Sequence, residues 1–371
     1  MFETKDSAEN VYDSSNVSSC AVHSYNEWDP LEEVIVGHVE GAAVPPWHVT
    51  LEATMPPDQR DFFLQRGGQP FPAEHVAAAR QELEELVHIL TAEGVKVRRP
   101  AVIDFTKSYS TLHWSSASGL YAAMPRDVIL VIGTELIEAP MCWRSRYHEI
   151  DAYRPLIKEY FLGGARWTAA PKPLLTDDLY VEDYREEAVG DAPNFAINEH
   201  EPVFDAAEFI RCGKDIFVQK SHVTNSFGIE WLRQHLGDAY TIHELQFNDT
   251  HPMHIDGTFM PLAPGKLLVH PDRVPEIPSM FKHWDVLYAP PPTIPDHHTL
   301  YMASKWLNLN ILMLDEKRVI VEKHDEQLIT SLKKWGMEPI RCNFRNFNRF
   351  GGSFHCATLD IRRRGTLQSY F

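Results

Sequence analysis

The 371-residue chain predicts an α/β fold of five repeated modules, and two patterns carry the prediction. One is a recurring order of apolar strand or hairpin, amphipathic helix ending at glycine, and a further short strand. The other is a set of hairpin signals between these units. Ala73 to Glu93 shows the first pattern most clearly: Val76, Leu83, Leu86, Val87 and Leu90 share one helical face, Gly94 suits a C-cap, and Val95-Lys96-Val97 alternates like a strand. Next, Gly163-Gly164 stops a helix before Ala165-Arg166-Trp167. Phe209 to Val218 reads as a hairpin turning at Gly213, and Gly237 then precedes Tyr240-Thr241-Ile242. Around Phe281-Lys282-His283-Trp284 the unit is weaker, without the glycine, before Val286-Leu287-Tyr288. Leu312 to Val321 repeats the hairpin with a charged turn, and Gly336 precedes Pro339-Ile340-Arg341. Such modules bury their apolar faces against neighbours, and closing them into a ring removes open ends and leaves a central channel. A doubly wound open sheet is the structural alternative, although no Gly-x-Gly-x-x-Gly or Walker-type loop supports a nucleotide site.

Composition narrows the function classes. With 44% hydrophobic and 11% aromatic residues the chain reads as an ordinary soluble globular protein, and a formal net charge of -17 opposes phosphate backbones and anionic membranes. Nucleic acid and membrane are therefore not expected partners. Arg362-Arg363-Arg364 and Arg98-Arg99 are short basic runs, expected as solvated faces or local ion-pair partners. The five cysteines, Cys20, Cys142, Cys212, Cys342 and Cys356, are widely separated with no Cys-x-x-Cys pair, which fits a reduced compartment and suggests neither zinc nor a redox disulfide. The acidic start lacks an apolar h-region, so the expectation is a cytoplasmic protein with a disordered tail over residues 1–20 and one catalytic domain over 21–371.

The chemistry-bearing residues lie far apart in the chain. Gly351-Gly352-Ser353-Phe354-His355-Cys356 sets a thiol behind a glycine pair, and Met253-His254-Ile255-Asp256 offers an imidazole and a carboxylate. A cysteine nucleophile needs a nearby base, cation or dipole to ionise at neutral pH, so this pairing suggests covalent catalysis. His251, His254 and Asp256, with His297-His298, also permit a metal-dependent hydrolase. Against it, Pro252 breaks the helix that would align them, and the helical His-Glu-x-x-His pattern is absent.

An ordered set of segments from about Ser24 onward resembles the L-arginine amidinotransferases, the group that includes glycine amidinotransferase within the guanidine-modifying superfamily of arginine deiminase. They include Tyr25-Asn26-Glu27-Trp28-Asp29-Pro30, Pro125-Arg126-Asp127, Phe204-Asp205-Ala206-Ala207, Met253-His254-Ile255-Asp256, Ser304-Lys305-Trp306 and Phe354-His355-Cys356. The resemblance implies a five-module pseudosymmetric α/β propeller with a central active-site channel, cofactor-free and metal-free ping-pong chemistry, and a homodimer. It implies that Cys356 attacks the guanidinium carbon of arginine, that His254 protonates the departing ornithine amine and later deprotonates the acceptor, and that Asp205 orients His254. Asp127 and Asp256 match the guanidinium-binding pair, Arg273 the residue holding arginine's α-carboxylate, and Ser304 a hydroxyl beside it. Arginine is cationic at physiological pH and presents a planar fork of donors, so carboxylates in its pocket make physical sense.

Resemblance also marks what varies. Glycine-specific relatives carry Asn at the position of His251 and Ser at that of Ala303, and Gly257 replaces an alanine, whereas Met253 is kept. The expected acceptor is a primary amine: glycine, a lysine-like ω-amino acid or a natural-product amine, with a cyclitol less favoured. Hydrolysis of the same intermediate to citrulline, as in arginine deiminase, is the nearest rival reaction.

Overall fold

Burial grades outward within each repeated unit, and that gradient locates the axis of the molecule. In the computed structural model, which describes residues 20–185 and 194–371, five three-stranded sheets repeat one plan: an antiparallel pair of strands followed by a third strand parallel to the second. The innermost strands Ile129–Ile132, Phe209–Cys212, Phe259–Ala263 and Leu312–Met313 are buried throughout. The outermost strands Lys96–Arg98, Arg166–Ala169 and Asp285–Tyr288 hold only half-buried and exposed residues. An antiparallel return needs only a tight turn, but a parallel third strand needs a crossover, and helices supply it. Ala73–Ala92, Arg154–Leu162, Ser226–Leu236 and Glu326–Lys334 are those helices.

The strand-to-helix repeats therefore appear where the sequence pattern placed them. Gly94 and Gly336 follow their helices at φ 82° and 85°, a left-handed conformation that favours glycine. In the fourth unit the weak pattern has a structural counterpart: the turn Ser279–Phe281 replaces the crossover helix. The open-sheet alternative is overturned, because the strands form separate sheets instead of one. The ring closes through its ends, with Thr358–Arg363 antiparallel to Leu31–Val36 and Lys96–Arg98 parallel to it. The disordered-tail expectation falls on residues 1–20, of which all but Cys20 lie outside the described residues.

The axis is not filled by hydrocarbon alone. Arg126 reaches Glu27 at 3.2 Å and Asp360 at 2.7 Å, Arg211 reaches Glu27 at 2.7 Å and Asp360 at 2.9 Å, and Arg363 reaches Asp360 at 2.7 Å. All five side chains are buried. Arg363 is thus no part of a solvated basic face, although its flanking neighbours Arg362 and Arg364 do pair with Glu32 nearer the surface. Burial alone would raise the Asp360 carboxyl, but Arg126, Arg363 and Arg211 outweigh it and hold its pKa far below the ordinary value. A depressed folded pKa stabilises the protein above the ordinary carboxyl range, and this contribution is lost as pH falls through the folded value. Removing one partner of a buried network leaves charge uncompensated, so Asp360→Asn is expected to cost ~3–5 kcal/mol. Urea denaturation at neutral pH measures it, and an unchanged midpoint would contradict the structural role given to this network.

Candidate active site

Four chain segments meet at one site. The turn Pro125–Val128 carries Asp127, the turn Ala206–Glu208 follows Asp205, and the turn Ile255–Gly257 follows His254. Cys356 stands just before the closing strand Thr358–Arg363. Asp127, His254 and Cys356 offer atoms within 4.8 Å of one another, and Asp205 Oδ2 lies 3.0 Å from His254 Nε2. The residues proposed from sequence as nucleophile, acid/base and orienter are therefore brought together from positions 205, 254 and 356.

His254 is held unusually. Its φ of 59° with ψ of 112° is a sparsely populated backbone conformation for a side chain with Cβ, which costs about 1–3 kcal/mol unless the surroundings impose it. Its N–H donates to Glu208 Oε1 at 2.7 Å, while its ring lies between Asp205 and Asp127, the latter 3.7 Å from Nδ1. Burial disfavours an imidazolium, yet Asp127, the Asp205 hydrogen bond and charge, and Glu208 together raise the His254 pKa to about 10. Arg146, itself buried, binds Asp127 at 3.0 Å, Asp205 at 3.3 Å and Glu149 at 2.8 Å, so one guanidinium ties the two carboxylates flanking the imidazole.

Asn310 clamps the cysteine at both ends. Its Nδ2 donates to Cys356 Sγ at 3.1 Å, and its Oδ1 accepts from the Cys356 N–H at 3.1 Å. Asp256 Oδ2 accepts from His355 Nδ1 at 2.7 Å and faces Cys356 Sγ at 3.4 Å. Burial, then the charges of Asp256 and Asp127, push the Cys356 thiol well above its ordinary pKa. At the sulfur, burial and the two carboxylates outweigh His254, so the expected thiolate depends on the cationic substrate as well as on the imidazole. A cation arriving between these carboxylates would reverse that balance.

A pocket of about 110 Å³ opens above the thiol, lined among others by Cys356, His254, Asp256, Met253, Arg273 and Ser304. His251 and Ala303, the two departures from the glycine-specific pattern, line it as well. Asp127 lies just beneath, with Oδ1 buried and without a hydrogen-bond partner. Burial raises its pKa, against the opposing pull of His254 and Arg146. An unpartnered buried acceptor suits a guanidinium donor. Arg273 pairs with Asp249 at 3.2 Å and donates to Thr258 Oγ1 at 3.3 Å, and Ser304 Oγ accepts from the Trp306 N–H at 3.3 Å.

The metal alternative changes membership. Among the described residues, the group compact enough for an ion is Asp127, His254 and Cys356, and it contains neither His251 nor Asp256. Its histidine is a poor ligand while both ring nitrogens carry protons, as the raised pKa favours at neutral pH.

Sequence reasoning missed Arg146, Glu208, Asn310 and the second partner of Asp256, His355. Glu208 had a signal, since it stands three residues after Asp205 on one short turn. His355 adjoins the cysteine, whereas Arg146 and Asn310 had no local mark.

Five sheets around an axis, with thiol, imidazole and carboxylates gathered under one pocket, define a guanidine-modifying α/β propeller. No protein-family model matches the chain. It is 58% identical over 354 residues to the L-arginine:L-lysine amidinotransferase of Pseudomonas savastanoi pv. phaseolicola, covering 95% of this chain and 98% of that one. It is 52% identical over 363 residues to the mitochondrial glycine amidinotransferase of Xenopus tropicalis, covering 96% and 86% respectively. The solved amidinotransferase of the saxitoxin biosynthetic pathway from Microseira wollei superposes with a TM-score of 0.92 at 54% identity, covering 95% of this chain and 100% of that one. The chain belongs to the amidinotransferase family and is an enzyme that transfers an amidino group to an amine.

Proposed function

We propose that the protein takes the amidino group from L-arginine and delivers it to a primary amine through a covalent amidino-cysteine on Cys356. The observation that carries this reading is the clustering of Cys356, His254 and Asp127 within 4.8 Å beneath a pocket that also holds Asp256 and Arg273. Arginine's guanidinium lies between Asp127 and Asp256, and its α-carboxylate meets Arg273 with Ser304 alongside. The incoming positive charge offsets the carboxylates that hold the thiol neutral, and Asn310 stabilises the thiolate by hydrogen bonding.

As the guanidinium docks, the Cys356 thiol releases its proton to solvent through the open pocket, and the thiolate attacks the guanidinium carbon to form a C–S bond. His254 gives its proton to the departing nitrogen, the C–N bond breaks, and ornithine leaves. The acceptor amine then enters, His254 takes its proton, nitrogen attacks the same carbon, and the C–S bond breaks to return the thiolate. Asp205 keeps the imidazole oriented across both halves. Arg273 remains after ornithine leaves, which favours an acceptor bearing a carboxylate, such as glycine or a lysine-like ω-amino acid, over a cyclitol. His251 and Ala303 at the pocket wall are where acceptors would be distinguished.

The working unit we propose is one catalytic domain over residues 21–371, assembled as a cytoplasmic homodimer. Among the described residues, no helix is long and apolar enough to cross a membrane. Arg273→Ala is expected to raise the KM for arginine roughly 10- to 100-fold, the worth of a charged hydrogen bond, with a smaller change in kcat. Steady-state kinetics checks this, and an unchanged KM would remove Arg273 from the donor site. The reaction itself is tested by supplying arginine with a panel of amines and identifying products by mass spectrometry. Amidinated amine with matching ornithine supports transfer, whereas sustained citrulline without acceptor dependence would establish hydrolysis instead.

A further inference from the structure

Asp205, which precedes the turn Ala206–Glu208, and Glu208, which ends it, are carboxylates three residues apart, and both reach the same histidine. Asp205 Oδ2 meets the ring at Nε2 at 3.0 Å, while Glu208 Oε1 accepts the backbone N–H of His254 at 2.7 Å. Glu208 is fully buried, so this contact is shielded from competing water. It is also placed where local backbone preference is unfavourable: His254 has φ 59° without being a glycine, and Pro252 two residues earlier leaves little freedom to relax. A buried carboxylate accepting that N–H is therefore a restraint on the backbone from which the imidazole projects.

We propose that Glu208 is a positioning residue for amidino transfer, holding the His254 backbone so that the imidazole stays between Asp205 and Asp127 and in reach of the nitrogen that leaves or enters. The inference rests on His254 being the proton carrier, and Glu208 acts only through it. Without the restraint, the backbone moves toward a commoner conformation and the ring loses its alignment with the thiol and substrate nitrogen. Displacement on this scale reduces proton transfer and attack without removing any group that grips arginine.

The charges facing His254 come from several elements: Asp127 from one turn, Asp205 and Glu208 from another, Asp256 from its own turn, Arg146 through the two aspartates, and Cys356 across the pocket. Burial, opposed by His254 and the Ser221 hydroxyl, raises Glu208 itself to about 7, so its charge falls away below neutrality. Because Glu208 is among the groups that raise the His254 pKa, deleting it moves the basic limb of kcat to lower pH.

The test compares Glu208→Ala and the near-isosteric Glu208→Gln in the full-length enzyme. Glu208→Ala is expected to lower kcat about 10- to 100-fold, with the KM for arginine within about threefold and the basic limb displaced downward. Glu208→Gln keeps an oxygen that can accept the N–H, and recovers part of kcat while still showing the displaced limb. A double-mutant cycle with His254→Asn separates positioning from general stability, because Glu208→Ala costs little further rate once the imidazole is gone. Wild-type kcat and pH profile in either folded variant, a loss confined to KM, or an undiminished cost in the His254→Asn background would each overturn the proposal. In the wild type, 15N-histidine labelling provides a reading independent of variant folding: the His254 amide proton, donating to a carboxylate at 2.7 Å, is expected well downfield, and an amide proton at an ordinary shift would also overturn it. Failure of these tests while His254→Asn still lowers kcat at least ~100-fold would remove Glu208 alone; wild-type turnover in His254→Asn would remove the mechanism beneath it.

Discussion

Cys356→Ala is expected to bind arginine and release no ornithine. The loss of turnover should be on the order of 10⁴-fold or more, because no other group can form the covalent intermediate and the remaining site only binds. Other cysteines do not substitute: among the described residues Cys356 is the cysteine that lines the pocket, and Cys20, Cys142, Cys212 and Cys342 do not line it. Arginine affinity by calorimetry should stay within about threefold, since Asp127, Asp256 and Arg273 are untouched. Turnover near the wild-type rate in this variant would mean that the amidino group passes directly between substrates or through a different nucleophile.

His254→Asn is expected to lower kcat at least ~100-fold by removing the group that carries a proton in both halves of the reaction. The wild-type pH dependence follows from the same residue. Burial works against its charge, but Asp127, Asp205 and Glu208 raise the pKa from 6.5 to about 10. The stability contributed by the charged form is complete below about 6.5 and is lost as pH rises through about 10. As the general acid, the imidazolium is lost over the same upper range, so ornithine release should decline there in the wild type. The asparagine variant should lack that limb, and an identical limb in both proteins would assign it to another group. Rate against pH for the first half-reaction distinguishes the outcomes.

Much of the propeller could be read locally because its rule is local. A hairpin, a helix face such as Leu83, Leu86 and Leu90, and a stop at Gly94 are each encoded within about twenty residues, and periodicity reports them directly. Even the defective fourth unit was visible, since the missing glycine accompanies a missing crossover helix. Ring closure was different. It depends on Thr358–Arg363 finding Leu31–Val36 across nearly the whole chain, and no pattern within either strand names the other.

The site divides in the same way. Cys356, His254, Asp205, Asp127 and Asp256 stand in segments whose order is recognisable, and the fold brings them together. Their protonation could not be read, because it arises from the sum of charges delivered by distant segments. Arg146 joins Asp127 to Asp205 only after folding, and Asp256 comes within 3.4 Å of the sulfur. Arg363 shows the opposite hazard. In a run of three arginines it resembles a surface residue, yet the closing strand, whose register is irregular between Asp360 and Arg363, carries it inward onto Asp360.

Intact-mass measurement of the enzyme after exposure to arginine without an acceptor, followed by peptide mapping, is the most direct test of the covalent route. The wild type should gain one amidino group on the peptide containing Cys356, with one ornithine released per modified site, and should lose that mass when a competent amine is added. An unmodified Cys356 peptide during demonstrable transfer, trapped under conditions that preserve the adduct, would contradict it.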